Sequence, residues 1–444
     1  MARAARACDQ PDDNHHPTAP ASLDLPEAYS RRSCKRGGSV MGLRILAIAP
    51  TSFFADYGCH VRILEEIRAL ARRGHHTTLC TYHTGRTPPD IDVVRMPRVP
   101  WASSIRIGSS LHKLYFDVLL GARSLVASIG PVDVVHAHLH EEAAIGLAVA
   151  RLRRVPLIFD YQGSLTREML DHRFIREGSP LMRPLEWMEH AIERQADAIV
   201  TSSMHGADHL RACHARPLAR VTVVPDGIGR GTPEKSSASG PTPEALRTRL
   251  GIPSGRTVVA YLGLLADYQG VDHILYAARQ VIERRQDVHF LIMGYPGLEQ
   301  YHRQAHDLQI LDHVTFTGRV PYEEAGAHLA LADIAISAKR SATEANGKLL
   351  NYMEAGLPIV VYDSPVAREV LGTLGEFVAP GDITGLGLAL ESLIDNPSRR
   401  ANLAVALQAR VRAVFSWDDA SALLEAEYSR VLGWSRHSGA WSTR

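Results

Sequence analysis

The sequence predicts an α/β protein made of two doubly wound domains that face each other across a cleft. Three observations carry this expectation. The chain has 444 residues, too many for one hydrophobic core and suited to two domains of roughly 150–200 residues each. Short apolar β-type runs alternate with helical segments in two successive series, the pattern of parallel strands covered on both faces by helices. Between the series lies GRGTPEKSSASGPTP (Gly229–Pro243), dense in Gly, Pro, Ser and Thr and free of large apolar residues, which is a linker signature.

The first series opens with Leu43–Ala49 (LRILAIA), then a loop and the amphipathic stretch Val61–Arg73. His76–Thr81, a short strand near Val93–Arg95 and a helix around Leu111–Ala127 follow. Asp133–His136, a helix Glu142–Arg151, Pro156–Asp160, a helix Pro184–Gln195, Ala198–Thr201 and Val221–Val224 complete it. The second series runs Val258–Leu262, helix Val271–Arg284, Val288–Met293, helix Glu299–Leu308, Val314–Thr317 and helix Tyr322–Ala330. Ile334–Ser337, helix Lys348–Ala355, Ile359–Tyr362 and Phe377–Val378 come next, with helices from there to Gly433. The expected division is residues 41–228 for the first domain and 244–416 for the second. Residues 1–40, rich in Pro, Asp, His, Ser and Arg and without an apolar h-region, read as a disordered extension ahead of Met41. Residues 435–444 read as a loose tail. In open α/β sheets ligands bind outside the C-terminal ends of the strands, so the cleft is the expected site.

Composition narrows the function. Lys+Arg 49 against Asp+Glu 48 gives no basic excess, and so no support for a nucleic-acid partner. The five cysteines contain no C-x-x-C pair, so neither a zinc site nor a disulfide framework is indicated, which suits a reducing, cytoplasmic setting. No apolar run approaches the ~18 residues needed to span a bilayer.

Three segments carry chemistry. In APTSFFADYGCHVRILEE, after the first strand, a loop and helix start can present backbone N–H groups to an anion. Gly58 there allows close backbone approach; without G-x-G-x-x-G the dinucleotide fingerprint is absent. In VHAHLHEE, Val135–Glu142, the histidines His136, His138 and His140 alternate at a strand end. A turn into helix is expected to scatter them, which argues against a metal site. His138 hydrogen-bonding a ligand is the functional reading, and a satisfied structural histidine the alternative. Asp160 and Gln162 end another strand and can reach the cleft. The third segment, SATEANGKLLNYMEAGLPIVVYD (Ser341–Asp363), is the most specific. A polar loop, Glu344–Gly347, leads into a helix whose start aims N–H groups and the positive end of its dipole at an anion. Lys348 adds a full positive charge, and Glu344 is placed to accept hydrogen bonds from hydroxyls. A sugar diphosphate needs both.

With ALARRGHHTTL, VVPDGI (Val223–Ile228), YLGLLADYQGVDHIL, FTGRVPYEE (Phe316–Glu324) and LLNYMEAGLPIVV, these segments resemble, in order and spacing, the GT-B retaining glycosyltransferases of the large family numbered four. The resemblance covers about Leu43 to Leu432. It implies two Rossmann-like domains, a nucleotide-sugar donor on the second, most of the acceptor on the first, and a last helix, Trp417–Leu432, crossing back onto the first. It implies His138, Glu344 and Lys348 as catalytic residues. The implied donor contacts are Gly58, Gly263, Gln269, Arg319, Asn346, Gly347, Leu349 and Asn351, with no obligatory metal or other cofactor. The sequence departs from the family at two places. Aligned on Gly356 and Pro358, the family's glutamate pair falls on Thr343, beside Glu344, and on Asn351. The Arg and Lys that neutralise the diphosphate are replaced by Leu264 and Gln269, leaving Lys348, Arg319 or Lys339 to compensate.

The expected function is sugar transfer to a hydroxyl acceptor with retention, in glycan, polysaccharide or glycolipid biosynthesis. A sugar-nucleotide epimerase of the same architecture and a non-catalytic nucleotide-sugar-binding relative are the alternatives. The acceptor is a glycan or lipid-linked. The stretch Pro97–Val126 holds Arg98, Trp101, Arg106, Lys113 and Arg123 among apolar residues. It reads either as a peripheral contact with the inner face of a membrane or as an ordinary half-buried helix with solvated basic residues.

Overall fold

The computed structural model describes residues 42–102, 111–171, 174–176, 178–214, 218, 220–229, 242–341 and 345–433. The predicted N-terminal extension, nearly all of the linker and the tail lie outside the described residues, as do Arg106, Thr343 and Glu344.

The first sheet is built from β1 (Arg44–Ala49), β2 (His76–Thr81), β3 (Asp92–Arg95), β4 (Val134–His138), β5 (Leu157–Tyr161), β6 (Ala198–Thr201) and β7 (Val221–Val223), in the order β3-β2-β1-β4-β5-β6-β7. The second holds β8 (Thr257–Leu262), β9 (Val288–Met293), β10 (Val314–Gly318), β11 (Ile334–Ser337), β12 (Ile359–Tyr362) and β13 (Glu376–Val378), in the order β10-β9-β8-β11-β12-β13. Every strand pairing in both sheets is parallel. The chain order reverses between β1 and β4 and again between β8 and β11, which opens a crevice above the strand ends in each sheet. This is the doubly wound pair that the alternation predicts.

The central strands are buried because helices cover both faces: all six residues of β9 and all five of β4 are buried. On the helix Val271–Arg284 the buried residues Val271, Ile274, Leu275, Ala278, Val281 and Ile282 recur every three or four positions and pack under β8 and β9. The opposite face of the second sheet is closed by Leu349, Leu350 and Met353 of the helix Lys348–Glu354 with Leu407 and Val411 of the helix Pro397–Val414.

Some elements differ from the sequence reading. Pro243 belongs to a helix, Pro243–Arg249, as its first residue, and the Thr242 side chain caps it by accepting from the Ala245 N–H. Two capped helices were not expected, Met204–Cys213 behind Ser203 and Pro365–Leu371 behind Ser364. The segment expected as a helix Tyr322–Ala330 divides into a 3-10 turn Tyr322–Glu324 and a short helix Ala325–Leu329.

The last helix, Trp417–Val431, lies against the first domain. Its Trp417, Ala420, Leu424 and Tyr428 are buried with Leu43, Ile45, Leu70 and Ile158. The chain reaches it through a tight crossing: a Cβ on Gly227 would lie 2.3 Å from the Trp417 nitrogen, so only glycine fits there. A second link between the domains runs from the Met204 and His205 N–H groups to the Glu369 carboxylate, at 2.7 and 3.3 Å.

Candidate active site

Both domains line a cleft of about 950 Å³ above the strand ends. Of the residues expected at the donor site, Gly58, Gly263, Gln269, Arg319, Asn346, Gly347, Lys348 and Asn351 face it.

On the second domain the strand-end loops cross without room for side chains. A Cβ on Gly294 would lie 1.8 Å from the Gly263 carbonyl oxygen. Gly270, at φ 71°, turns the chain into the helix Val271–Arg284, and a Cβ there would lie 2.0 Å from the Ala338 carbonyl. Across this surface comes Lys348. Its Nζ donates to Gln269 Oε1 at 2.5 Å and sits 4.7 Å from the centroid of the Tyr261 ring. A Cβ at Gly263 would be 3.0 Å from that Nζ. Position 269, which carries no cation in the sequence, therefore has an ammonium group against it, supplied by the start of the helix Lys348–Glu354. Asn346, buried beside it, donates to the Ser337 hydroxyl at 3.2 Å, and among the described residues its own Oδ1 has no partner.

Leu349 is a correction. Its side chain is fully buried in the core and its N–H is taken by the Asn346 carbonyl at 3.0 Å. It anchors the helix instead of facing the donor, and Leu350 lines the cleft in its place.

On the first domain the loop after β1 reaches across the cleft. The Asp56 carboxylate accepts from Arg319 Nε at 2.8 Å and from Nη2, from the Tyr322 N–H at 2.9 Å and from Arg86 at 3.1 Å. Arg86 also pairs with Glu323 at 2.9 Å, and the Tyr295 hydroxyl donates to the Ala55 carbonyl. Arg319 is thus in the cleft but already faces a carboxylate. Beneath the loop, His60 is buried, its Nδ1 accepting from the Ala55 N–H at 2.8 Å. Burial, then the nearby charges of Arg319 and Lys113, push its pKa down to about 3.

The unfolded chain binds a proton at His60 near pH 6.5 while the folded chain stays neutral, so stability present above that pH is lost as pH falls toward 3. Between pH 6.5 and 5 the loss from this group should be about 2 kcal/mol. His60→Phe should flatten that arm of a urea-measured stability profile whatever its effect at neutral pH; an unchanged slope would contradict the assignment.

Below the cleft floor lies a buried polar network. Arg62 holds both oxygens of Asp160, at 3.0 and 2.9 Å, and also reaches Asp226 at 2.6 Å and the Val224 carbonyl at 3.2 Å. Burial alone would raise the Asp160 pKa, but Arg62 and His138 outweigh it and hold the carboxyl well below the usual range. His138 is 2.9 Å from Asp160 and stacks on His136, with ring centroids 4.6 Å apart. His136 in turn lies 2.7 Å from the Tyr428 hydroxyl and 3.2 Å from Glu66. Burial drives His136 below its ordinary pKa and Glu66 above.

His138 itself therefore sits one layer under the floor, 1% exposed, while its neighbour Leu139 and Gln162 line the cleft. The cause is strand alternation: His136 and His138 share the face of β4 turned to Glu66 and Asp160. Asp160 is likewise not at the surface of the cleft. The expected scattering of the three histidines applies only to His140, which opens the helix His140–Arg153 and bonds Glu193 at 3.1 Å.

Among the described residues, two groups bring ligand atoms within 4.8 Å of one another, Glu66–His136–His138–Asp160 and His190–Glu193–His214. In the first, the Arg62 guanidinium already occupies both Asp160 oxygens, so an entering cation would meet a positive charge. In the second, Glu193 is already shared by His140 and His214. Both groups read as hydrogen-bonded core.

Sequence reasoning missed Asp56, Arg62 and Asp226. The signal for Arg62 was present: Arg62, Glu65 and Glu66 fall among the buried apolar residues Ile63, Leu64 and Ile67 of their helix, and buried charges come paired.

Comparison with known proteins agrees with this architecture. Residues 57–227 match the glycosyl transferase 4-like domain and residues 243–409 the glycosyl transferases group 1 family. The D-inositol 3-phosphate glycosyltransferase of Xylanimonas cellulosilytica is 26% identical over 84% of this chain and 92% of its own. The phosphatidyl-myo-inositol mannosyltransferase of Mycobacterium leprae is 25% identical over 88% and 97%. Among solved structures, sucrose-phosphate synthase from Thermosynechococcus elongatus superposes with a TM-score of 0.74 at 16% identity, over 88% of this chain and 100% of that one. Anabaena HepE in complex with UDP-glucose gives 0.66 at 17%, over 87% and 100%. The chain belongs to the GT-B glycosyltransferases of the family 4-like type, a glycosyl transferase 4-like domain followed by a group 1 domain.

Proposed function

We propose that the chain moves a sugar from a nucleotide-sugar held on the second domain to an acceptor hydroxyl presented by the first, with retention of the anomeric configuration. The observation that carries this is the Lys348 ammonium brought against Gln269 at the cleft wall, opposite the loop Asp56–Gly58. Lys348 faces the leaving diphosphate from one side, and Arg319 joins it when the donor competes with Asp56. Fixed charges aimed at a leaving group lower the barrier because its negative charge grows in the transition state. The acceptor attacks from the leaving-group face and passes its proton to the departing phosphate oxygen, so no protein base is assigned. His138, held by Asp160 beneath the floor, positions Leu139 and the strand end. Glu344 meets the donor sugar hydroxyls and Asn351 the ribose. The UDP-glucose bound to HepE and the inositol-lipid acceptor in the name of the Mycobacterium leprae relative support a sugar nucleotide on one side and a glycan or lipid-linked hydroxyl on the other.

A panel of nucleotide-sugars tests this. Release of free nucleotide with one donor is expected, and chelation by EDTA should leave its rate within about twofold, since side-chain cations and dipoles meet the diphosphate charge. A new sugar-nucleotide instead would establish epimerisation, and thermal stabilisation without turnover would establish binding alone.

A further inference from the structure

We propose that the hydrogen-bond donors gathered around the Asp56 carboxylate form an anion site for the phosphate end of a nucleotide, and that Asp56 fills it as a competitor built into the chain. The carboxylate meets four donors from three residues. Arg319 takes one oxygen with Nε at 2.8 Å and with Nη2, while the Tyr322 N–H at 2.9 Å and Arg86 at 3.1 Å take the other. Two guanidinium groups and a backbone N–H converging on one point are the donor set that recognises phosphate oxygens. Here a carboxylate monoanion stands in the phosphate's place.

The loop that delivers the carboxylate is braced from the first domain. Phe54 and Arg86 exchange backbone hydrogen bonds at 2.7 and 3.1 Å, and a Cβ on Gly85 would lie 2.4 Å from the Phe53 carbonyl oxygen. Asp56 itself sits at φ 56°, a left-handed conformation that residues other than glycine and asparagine enter at a cost. Its side chain is 3% exposed, while those of Arg319 and Arg86 are 45% and 43% exposed and line the cleft. The carboxylate is thus dehydrated and strained into place, and its partners stay open to a ligand arriving through the cleft.

Position selects the ligand. The Gly318 carbonyl, next to Arg319, accepts from the Gly294 N–H at 2.9 Å, and Gly294 crosses Gly263, against which the Lys348 ammonium lies. Arg319 and Lys348 therefore mark the two ends of one row of backbone without side chains, over the ends of β8, β9 and β10. A nucleoside diphosphate laid along that row meets a cation at each end. With Asp56 in place the Arg319 end is neutralised. Glu323 stays with Arg86, so withdrawal of Asp56 turns Arg319 and the Tyr322 N–H to the ligand. A terminal phosphate wins the exchange because it brings more charge and more oxygens than a carboxylate. Empty, the cleft is clasped by Arg319 of the second domain on the loop of the first; nucleotide opens the clasp. That this nucleotide is a sugar donor rests on the transfer reading above; the competition is measured by binding alone.

Calorimetric titration of the full chain with UDP, GDP, uridine and guanosine tests this. A chain whose Asp56 must first withdraw binds phosphate with an affinity lowered by the fraction already withdrawn. Asp56→Asn keeps the shape, suits the left-handed backbone and drops the charge. It should tighten the better-binding diphosphate by about tenfold and leave its nucleoside within about twofold. Asp56→Gly, which also suits φ 56°, should do the same and separates the effect from any fault in folding of the first variant. Arg319→Gln should bind the diphosphate more weakly than the parent, and adding Asp56→Asn to it should bring no gain. Diphosphate binding unchanged or weakened in both Asp56 variants overturns the proposal and leaves Asp56 a plain clasp between the domains. An equal gain for the nucleoside overturns it too, because the loop then blocks space instead of mimicking charge, as does binding of neither diphosphate to parent or variants. The competition retained in a chain that transfers no sugar supports this proposal while sinking the transfer reading.

Discussion

Lys348→Ala is expected to lower kcat/KM by about 100-fold or more, the loss seen when one fixed stabiliser of developing negative charge is removed from a dry site. The fall should appear mainly in kcat, because the charge on the leaving diphosphate is larger in the transition state than in the bound donor. The fold should survive. Lys348 is half-buried at the first turn of its helix, and truncation leaves the largely buried Gln269 amide oxygen short of its ammonium donor, a cost of about 1 kcal/mol. The geometry supplies a sharper control. Since the ammonium sits against position 269, moving the cation there should work in part: Lys348→Ala combined with Gln269→Lys should recover at least tenfold of the loss. If Lys348→Ala keeps a rate within threefold of the parent, or if the cation at 269 recovers nothing, the diphosphate lies elsewhere. Glu344→Ala should abolish turnover by a different route, by losing hold of the donor sugar hydroxyls.

That pair of positions also shows what a sequence discloses and what it withholds. The two sheets were legible because period and polarity are local: β12 is apolar from end to end and β8 nearly so, and helices such as Val271–Arg284 repeat at three and four. Most of the residues expected at the donor site line the cleft, since a polar loop between a strand and a helix has one place to go. The compensation at Gln269 was open to three candidates, because residues 269 and 348 are 79 positions apart and only the fold says which lysine or arginine arrives. His138 and Leu349 were misplaced for a related reason. A strand end or helix start gives the position along an element, but the facing direction of one side chain depends on the layer above it. Here Asp160 draws His138 down as Glu66 does His136, and the packing of Leu349 against the second sheet turns it from the cleft. Asp56 was invisible because two of its three partners, Arg319 and Tyr322, come from the other domain.

Arg62→Leu should be the most destabilising single change in the first domain, by about 3–5 kcal/mol at pH 7, because it strands a buried carboxylate. Asp160 has no solvent exposure, and among the described residues only His138 and the Gln162 amide remain to meet its charge without the guanidinium. The sign of the pH dependence follows. In the parent the depressed Asp160 pKa contributes stability that is present above the ordinary carboxylate pKa of 3.8 and lost as pH falls below it. The gap between parent and Arg62→Leu should therefore be widest near neutrality and narrow toward pH 3. Adding Asp160→Asn removes the second charge, so Arg62→Leu/Asp160→Asn should be more stable at pH 7 than Arg62→Leu alone, with a coupling energy above about 1 kcal/mol in a double-mutant cycle read by urea unfolding. A loss below 1 kcal/mol, or no coupling, would mean the pair is not the keystone of this layer. The same arginine also reaches Asp226, whose Oδ2 lies 3.4 Å from where a Cβ on Gly347 would be. Arg62 thus holds the exit of the first domain against the start of the helix Lys348–Glu354. Where Arg62→Leu still folds it should raise the donor KM more than it lowers kcat, the signature of a site held together from beneath.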